Sequence, residues 1–150
     1  MVSWNICASH GLLKASGLGD QFLDNLQIWR DQMALGLTTW AEMPEPSRSD
    51  CHAWGASPNI EFYRILLGID SDAPGFRKIR IAPSLGKLKE VSGTIPHPLG
   101  SVTAAYKLNE RGEGTARLVL PEGTTGIFIW DGKEIPLKPG EQVISLSSRH

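Results

Sequence analysis

The nineteen residues from 36 to 54 concentrate side chains that can carry out chemistry. They include three carboxylates, two indoles, a guanidinium, an imidazole and a thiol: Glu42, Glu45, Asp50, Trp40, Trp54, Arg48, His52 and Cys51. Glycoside hydrolysis needs two carboxyl groups across the scissile bond, one as acid and one as base or nucleophile. Aromatic rings offer sugars an apolar platform, and imidazole can bond to ring hydroxyls. These residue types therefore indicate a sugar-processing site.

Other interpretations of the same residues stay open. In a purely structural one, Glu42 bridges or caps near a helix end and the tryptophans belong to the core. Nucleophilic catalysis fits less well, because adjacent Cys51 and His52 do not face each other in nucleophile–base geometry. Zinc binding that adds Cys7 and His10 is also disfavoured, since neighbouring Cys and His side chains rarely reach one ion together. The sequence predicts no metal and no cofactor.

Composition limits the class of protein. The chain has 150 residues, 41% of them hydrophobic, and a net charge of −1. That length suits one domain, or one small domain and part of another. The charge does not favour binding to nucleic acid or to a membrane surface. No apolar run approaches the roughly 18 residues of a membrane span. The start does not resemble a signal peptide. Since it leads straight into a predicted helix, we expect further chain upstream, and the compartment is not indicated.

Three helices are expected to position the polar stretch. The first covers 3–15, and the second starts at Asp20 as N-cap and is stopped by Gly36. The second carries one apolar stripe at helical spacing, made of Phe22, Leu26, Trp29 and Met33. The third opens at Ser57-Pro58, where the missing N–H of proline is harmless. Its predicted buried face consists of Phe62, Ile65, Leu66 and Ile69. The helices carry more apolar surface than three can bury, so exposed faces that could self-associate are expected.

After about residue 70 the sequence turns to short alternating segments separated by turn residues. The predicted strands cover 78–82, 88–95, 101–108, 114–120, 125–130 and 142–146. Asp131-Gly132 is the strongest hairpin signal. His97, in a Pro-His-Pro turn, is expected to be solvated. Many short strands at this spacing predict an antiparallel β-sandwich.

Several motifs, in order, resemble the C-terminal part of bacterial α-L-rhamnosidases of glycoside hydrolase family 78. They are Gly-Leu-Thr-Thr-Trp-Ala-Glu at 36–42, Ser-Arg-Ser-Asp-Cys-His-Ala-Trp at 47–54, Leu-Gly-Ile at 67–69 and Pro-Gly-Phe-Arg-Lys-Ile-Arg-Ile-Ala-Pro at 74–83. The resemblance extends from about residue 1 to 108. It departs from the family pattern at Trp40, which falls one place early and gives Trp-Ala-Glu.

The resemblance implies an inverting hydrolase built on an (α/α)6 barrel followed by a β-sandwich. Glu42 matches the general base that activates water, and His52 matches the histidine that bonds rhamnose hydroxyls. Trp54, and less directly Trp40, match aromatic positions near the substrate. The general acid of the family lies upstream, in a region without a counterpart here. The 150 residues are therefore expected to be inactive alone.

We thus predict an α+β chain: about three last helices of an (α/α)6 barrel at 1–72, then a small antiparallel β-sandwich at 73–150. Its expected partners are a rhamnose-containing glycoside or polysaccharide and the missing N-terminal catalytic region of the same protein. The alternative is a non-catalytic carbohydrate-binding or structural β-sandwich module.

Overall fold

A computed structural model describes residues 10–43 and 46–148. The chain divides into two compact units, Met1–Phe62 and Tyr63–His150. The first is helical and the second is formed by strands, so the α+β class is confirmed. The boundary predicted between residues 72 and 73 stays a prediction. Within the described ranges, no helix has the length and apolarity needed to cross a membrane.

The helical unit begins, in its described part, with α1 over 10–15. A 3₁₀ helix, Gly19–Leu26, leads directly into α2, Gln27–Ala34. A 3₁₀ turn, Ala53–Ala56, precedes α3, Pro58–Glu61, and the chain continues into the second unit as a π-helical turn, Phe62–Leu66. Residues 3–9 of the predicted first helix lie outside the described residues.

The apolar stripe of the second helix is confirmed at three of its four positions. Phe22, Leu26 and Trp29 are buried, but Met33 is 56% exposed. Gly36 ends the helix with a φ of +79°, and the next N–H, from Leu37, bonds back to the carbonyl of Gln32 at 3.2 Å. The predicted N-cap is wrong: Asp20 lies inside the 3₁₀ helix, and no side chain caps that helix.

The strand unit consists of two four-stranded sheets. Its strands are β1 Ile69–Ser71, β2 Lys78–Ile81, β3 Glu90–His97, β4 Gly100–Leu108, β5 Gly114–Leu120, β6 Thr125–Trp130, β7 Lys133–Leu137 and β8 Gly140–Leu146. One sheet has the order β1-β2-β6-β7 and the other β3-β4-β5-β8. All neighbouring strands are antiparallel except β2 and β6, which are parallel. Parallel neighbours need a long crossover, and here the chain crosses through the second sheet.

One core joins the two sheets. Ile79, Ile81 and Phe128 of the first sheet share it with Val102, Tyr106 and Leu118 of the second. The rings of Tyr106 and Phe128 stack at 6.5 Å, and the Tyr106 hydroxyl donates to the carbonyl of Leu67 at 2.8 Å. The unit is therefore the predicted β-sandwich.

Two sequence predictions about this unit are corrected. The sequence places Ile69 on the third helix, but Gly68 has a φ of +74°, which ends the helical path, and Ile69 begins β1. His97 is not solvated: it is 8% exposed, and its Nε2 bonds to the carbonyl of Phe76 at 2.8 Å. Its Nδ1 accepts from the N–H of Leu99 at 3.1 Å, so Nε2 carries the proton and donates.

Candidate functional site

Two short arms, residues 39–42 and 49–52, hold the predicted site residues side by side in the helical unit. The N–H of His52 donates to the carbonyl of Trp40 at 2.8 Å, and the N–H of Glu42 donates to the carbonyl of Ser49 at 2.9 Å. The hydroxyl of Thr39 donates to the carbonyl of Asp50. Each arm donates hydrogen bonds to carbonyl groups of the other, so the two arms lie side by side. Glu42 and His52 therefore belong to one cluster.

Helix α2 anchors both arms. The buried carboxamide of Gln32 bonds to both main-chain groups of Ala41. The indole N–H of Trp29 donates to the carbonyl of Gly55 at 2.7 Å, just beyond the second arm. The Cα of Gly55 approaches Trp40 so closely that an added Cβ would lie 2.6 Å from that residue's Cβ. A rigid element thus fixes a loop with no regular structure of its own.

The carboxylate of Glu42 is nearly enclosed and forms a bidentate ion pair. Its residue is 9% exposed. The Nε of Arg48 donates to Oε2 at 3.1 Å, and an Nη of the same guanidinium donates to Oε1. These hydrogen bonds lower the pKa of Glu42; burial opposes the shift, while the charges of Arg48 and His52 add to it. Glu42 is therefore ionised at neutral pH.

The ring of His52 points one nitrogen into an enclosed position. Its Nε2 is buried and makes no hydrogen bond to the described residues. A buried polar atom without a partner is costly, and such atoms in native proteins usually meet a ligand or an ordered water. The ring therefore offers a place for a hydroxyl group on the arm that is paired with that of Glu42.

The two predicted tryptophans lie in different surroundings. Trp54, in the 3₁₀ turn that follows His52, is 50% exposed. Trp40 lines an apolar groove of about 340 Å³ along α2, together with Trp29, Met33 and Phe62. Neither Glu42 nor His52 lines that groove. The structure thus brings Glu42 and His52 together and turns Trp40 toward another surface.

Sequence reasoning gave no role to two residues of this cluster. Arg48 stood out only as a charge in the loop, and its pairing with Glu42 left no signal in the spacing. Gln32 left a weak signal in the sequence: it lies three residues after Trp29, on the buried face of α2, where a polar side chain needs a partner. Cys51 is an exposed free thiol, and the described residues contain no cluster of three His, Cys, Asp or Glu suited to a metal. Cys7 lies outside the described residues.

Comparison with known proteins connects this arrangement to one enzyme family. Residues 68–142 match the model of the bacterial alpha-L-rhamnosidase C-terminal domain. That match covers the sandwich up to the start of β8 and leaves out the residues around Glu42. No curated protein matches the chain.

Solved structures of similar fold extend over both units. The alpha-L-rhamnosidase from Aspergillus terreus covers 94% of the chain with a TM-score of 0.83 and 19% identity. That from Dictyoglumus thermophilum covers 83% with a TM-score of 0.71 and 20% identity. The Streptomyces avermitilis alpha-L-rhamnosidase, solved with L-rhamnose, covers 93% with a TM-score of 0.67 and 20% identity. The present chain spans only 19%, 15% and 16% of the length of these three proteins. By the family model that matches half of its residues, the chain belongs to the bacterial alpha-L-rhamnosidase C-terminal domain family.

Proposed function

We propose that this chain is the C-terminal portion of an inverting α-L-rhamnosidase, in which Glu42 is the general base. The full protein would release terminal α-L-rhamnose from rhamnose-containing glycosides or polysaccharides. The observation that carries the proposal is the ionised, mostly buried side chain of Glu42 on one arm of the loop, with the buried Nε2 of His52 on the paired arm. Membership of the family and the similar fold of three rhamnosidases support it.

The carboxylate of Glu42 keeps the capacity to take a proton from water. A carboxylate has about four lone-pair sites, and a bidentate guanidinium occupies two of them. The side chain of Glu42 retains 11% of its exposure, so a water molecule has access. In an inverting mechanism the base draws a proton from water as that water attacks the anomeric carbon from the face opposite the leaving group.

His52 supplies a complementary polar contact. Its Nε2 can accept a hydrogen bond from a sugar hydroxyl or, as the other tautomer, donate one. Its main chain is tied to Trp40, two residues before Glu42. A sugar bound to the ring would therefore lie at a fixed place relative to the base.

The 150 residues alone are expected to be inactive. Hydrolysis also requires a general acid to protonate the leaving oxygen, and walls that orient the sugar. The similar rhamnosidases are about five to six times as long as the chain. We therefore place the acid and most of an (α/α)6 barrel in an N-terminal region of the same protein, which is the main partner of this chain.

The test is turnover of an aryl α-L-rhamnoside by the full-length protein carrying Glu42→Gln, which keeps the shape and removes the base. We expect kcat to fall by about 10²- to 10⁴-fold. Glu122→Gln, the same change at an exposed position of the sandwich, should leave it unaltered. Proton NMR of the first sugar released should show the β-anomer. Normal turnover by Glu42→Gln would refute the base assignment, and an α-anomer would refute inversion.

A non-catalytic sugar-binding sandwich is the second candidate, and its surface does not favour it. Sugar-binding faces present aromatic rings, but Tyr106, Phe128 and Trp130 are buried in the core. If the 150-residue chain bound rhamno-oligosaccharides with an affinity unaffected by Glu42→Gln and His52→Ala, the binding module would be the better account.

A further inference from the structure

Gln32 occupies an unusual position for a polar side chain. It lies on α2 and is only 6% exposed. Its Oε1 accepts from the N–H of Ala41 at 3.0 Å, and its Nε2 donates to the carbonyl of Ala41 at 3.4 Å. A carboxamide is the side chain that can satisfy a peptide N–H and a peptide C=O together. Gln32 therefore completes, from a helix, the pairing that a neighbouring strand would give.

Residues 40–42 are held from two sides. Trp40 and Glu42 bond to the second arm through their main-chain groups, and Ala41 between them bonds to Gln32. This alternation resembles an extended strand with a partner on each edge. Without Gln32, one edge would have no anchor, and the buried N–H and carbonyl of Ala41 would lose their partners.

We infer that Gln32 is a positioning residue for the general base: its carboxamide fixes the Ala41 main chain and thereby the place of the Glu42 carboxylate. The inference rests on the proposed function of Glu42. General bases work only within hydrogen-bond reach of the attacking water, and a displacement of about 1 Å can cost about 10²-fold in rate. Gln32 bonds to Ala41, the residue directly before the base. Loss of these bonds would therefore change the distance between the Glu42 carboxylate and the attacking water.

The experiment compares Gln32→Met with Gln27→Met in the full-length protein. Both substitutions replace a glutamine of α2 by an apolar side chain of similar length. Gln27 is exposed, and its side chain donates to Asp31 of its own helix at 2.7 Å. We expect Gln32→Met to lower kcat by about 10- to 100-fold with a smaller change in KM, and Gln27→Met to change neither.

Gln32→Glu gives an independent test at constant size. A carboxylate still accepts from the N–H of Ala41, but its second oxygen faces the carbonyl of Ala41 and repels it. We expect an intermediate loss of kcat. This variant also keeps the inference testable if Gln32→Met does not fold, which far-UV circular dichroism would reveal.

A double variant separates positioning from general damage. If Gln32 acts through Glu42, then adding Gln32→Met to Glu42→Gln should cost no further activity. The inference would be overturned if Gln32→Met lowered activity by the same factor in the Glu42→Gln protein as in the wild type. It would also be overturned if the kcat of Gln32→Met matched that of Gln27→Met. Both results leave the role of Glu42 intact, whereas normal turnover by Glu42→Gln alone would refute the proposed function itself.

Discussion

Gly55→Ala is a direct test of how the two arms hold the site together. Gly55 follows the arm that carries His52, and its backbone lies against Trp40 of the arm that carries Glu42. The added methyl group would be 2.6 Å from the Cβ of Trp40 and 3.5 Å from the carbonyl oxygen of Ala41. The Cβ of Trp40 is fixed to its backbone, so a rotamer change cannot relieve the contact.

The size of the effect follows from that distance. Ordinary van der Waals contacts begin at 3.4 Å, so the arms must separate by about 0.8 Å. Overpacking of this kind costs about 1–3 kcal/mol of folding free energy. A shift of about 1 Å between a base and its substrate contact can reduce turnover by about 10²-fold. The hydrogen bond from Trp29 to the carbonyl of Gly55 opposes a simple displacement of the turn.

Two measurements check this prediction: kcat of the full-length protein on an aryl α-L-rhamnoside, and urea unfolding of the 150-residue chain. Gly11→Ala is the matched control, because Gly11 lies in α1 with nothing within 4 Å of an added Cβ. That control should keep its turnover and gain roughly 0.5–1 kcal/mol, since alanine suits a helix better than glycine. Wild-type stability and turnover in Gly55→Ala would show that the close approach of the arms does not matter.

Two further predictions follow from other contacts. Arg48→Gln removes the hydrogen bonds and charge that lower the pKa of Glu42, so the acid limb of the kcat/KM profile should move to higher pH; an unmoved limb would contradict the ion pair's role. Because the folded-state pKa is depressed, the same ion pair stabilises the chain above the pKa of an ordinary carboxylic acid, and this stability is lost as pH falls through the lowered value. Gly68→Ala should destabilise the chain by at least about 2 kcal/mol, because of its positive φ and because the added Cβ would clash with the backbone of Ala82. Gly132→Ala is the control, because Gly132 has a φ of +72° but open space around an added Cβ, so this variant should show the backbone cost alone. If both variants lost the same free energy of unfolding in urea, the steric contribution at Gly68 would be refuted.

The sandwich was largely predictable because its strands alternate and their turns carry specific chemistry. The predicted strands 114–120 and 125–130 coincide with β5 and β6. The Asp131-Gly132 turn has positive φ at both residues and joins β6 to β7, as such a hairpin requires. The parallel pairing of β2 with β6 was not predictable, because it depends on the path of the chain through the other sheet. Strand β1 has only three residues, too few to show any period.

The helical unit was predicted less well because local pattern and tertiary contacts diverge there. Met33 has the spacing of a core residue, yet it lies at the edge of an open groove. His10 shows the reverse: a polar residue that is fully buried against Phe22 and Trp29. In the candidate site, motif order led to Glu42 and His52. The contacts of Arg48 and Gln32 depend on how a loop without regular structure folds back on itself, which no periodicity encodes.

The ion pair with Arg48 decides what kind of base Glu42 would be. A general base is most effective when its pKa lies near the working pH, and burial alone would raise the pKa of this carboxyl group toward that range. Arg48 more than offsets burial, so the carboxylate is a weaker base but stays ionised to lower pH than an ordinary carboxylate. The guanidinium also fixes both carboxylate oxygens, as the Gln32 carboxamide fixes the backbone beside them. These contacts therefore fix the orientation of the Glu42 carboxylate at the expense of its basicity. On this reasoning Arg48→Gln yields a stronger but less well-placed base, with a lower plateau of kcat as well as a shifted acid limb.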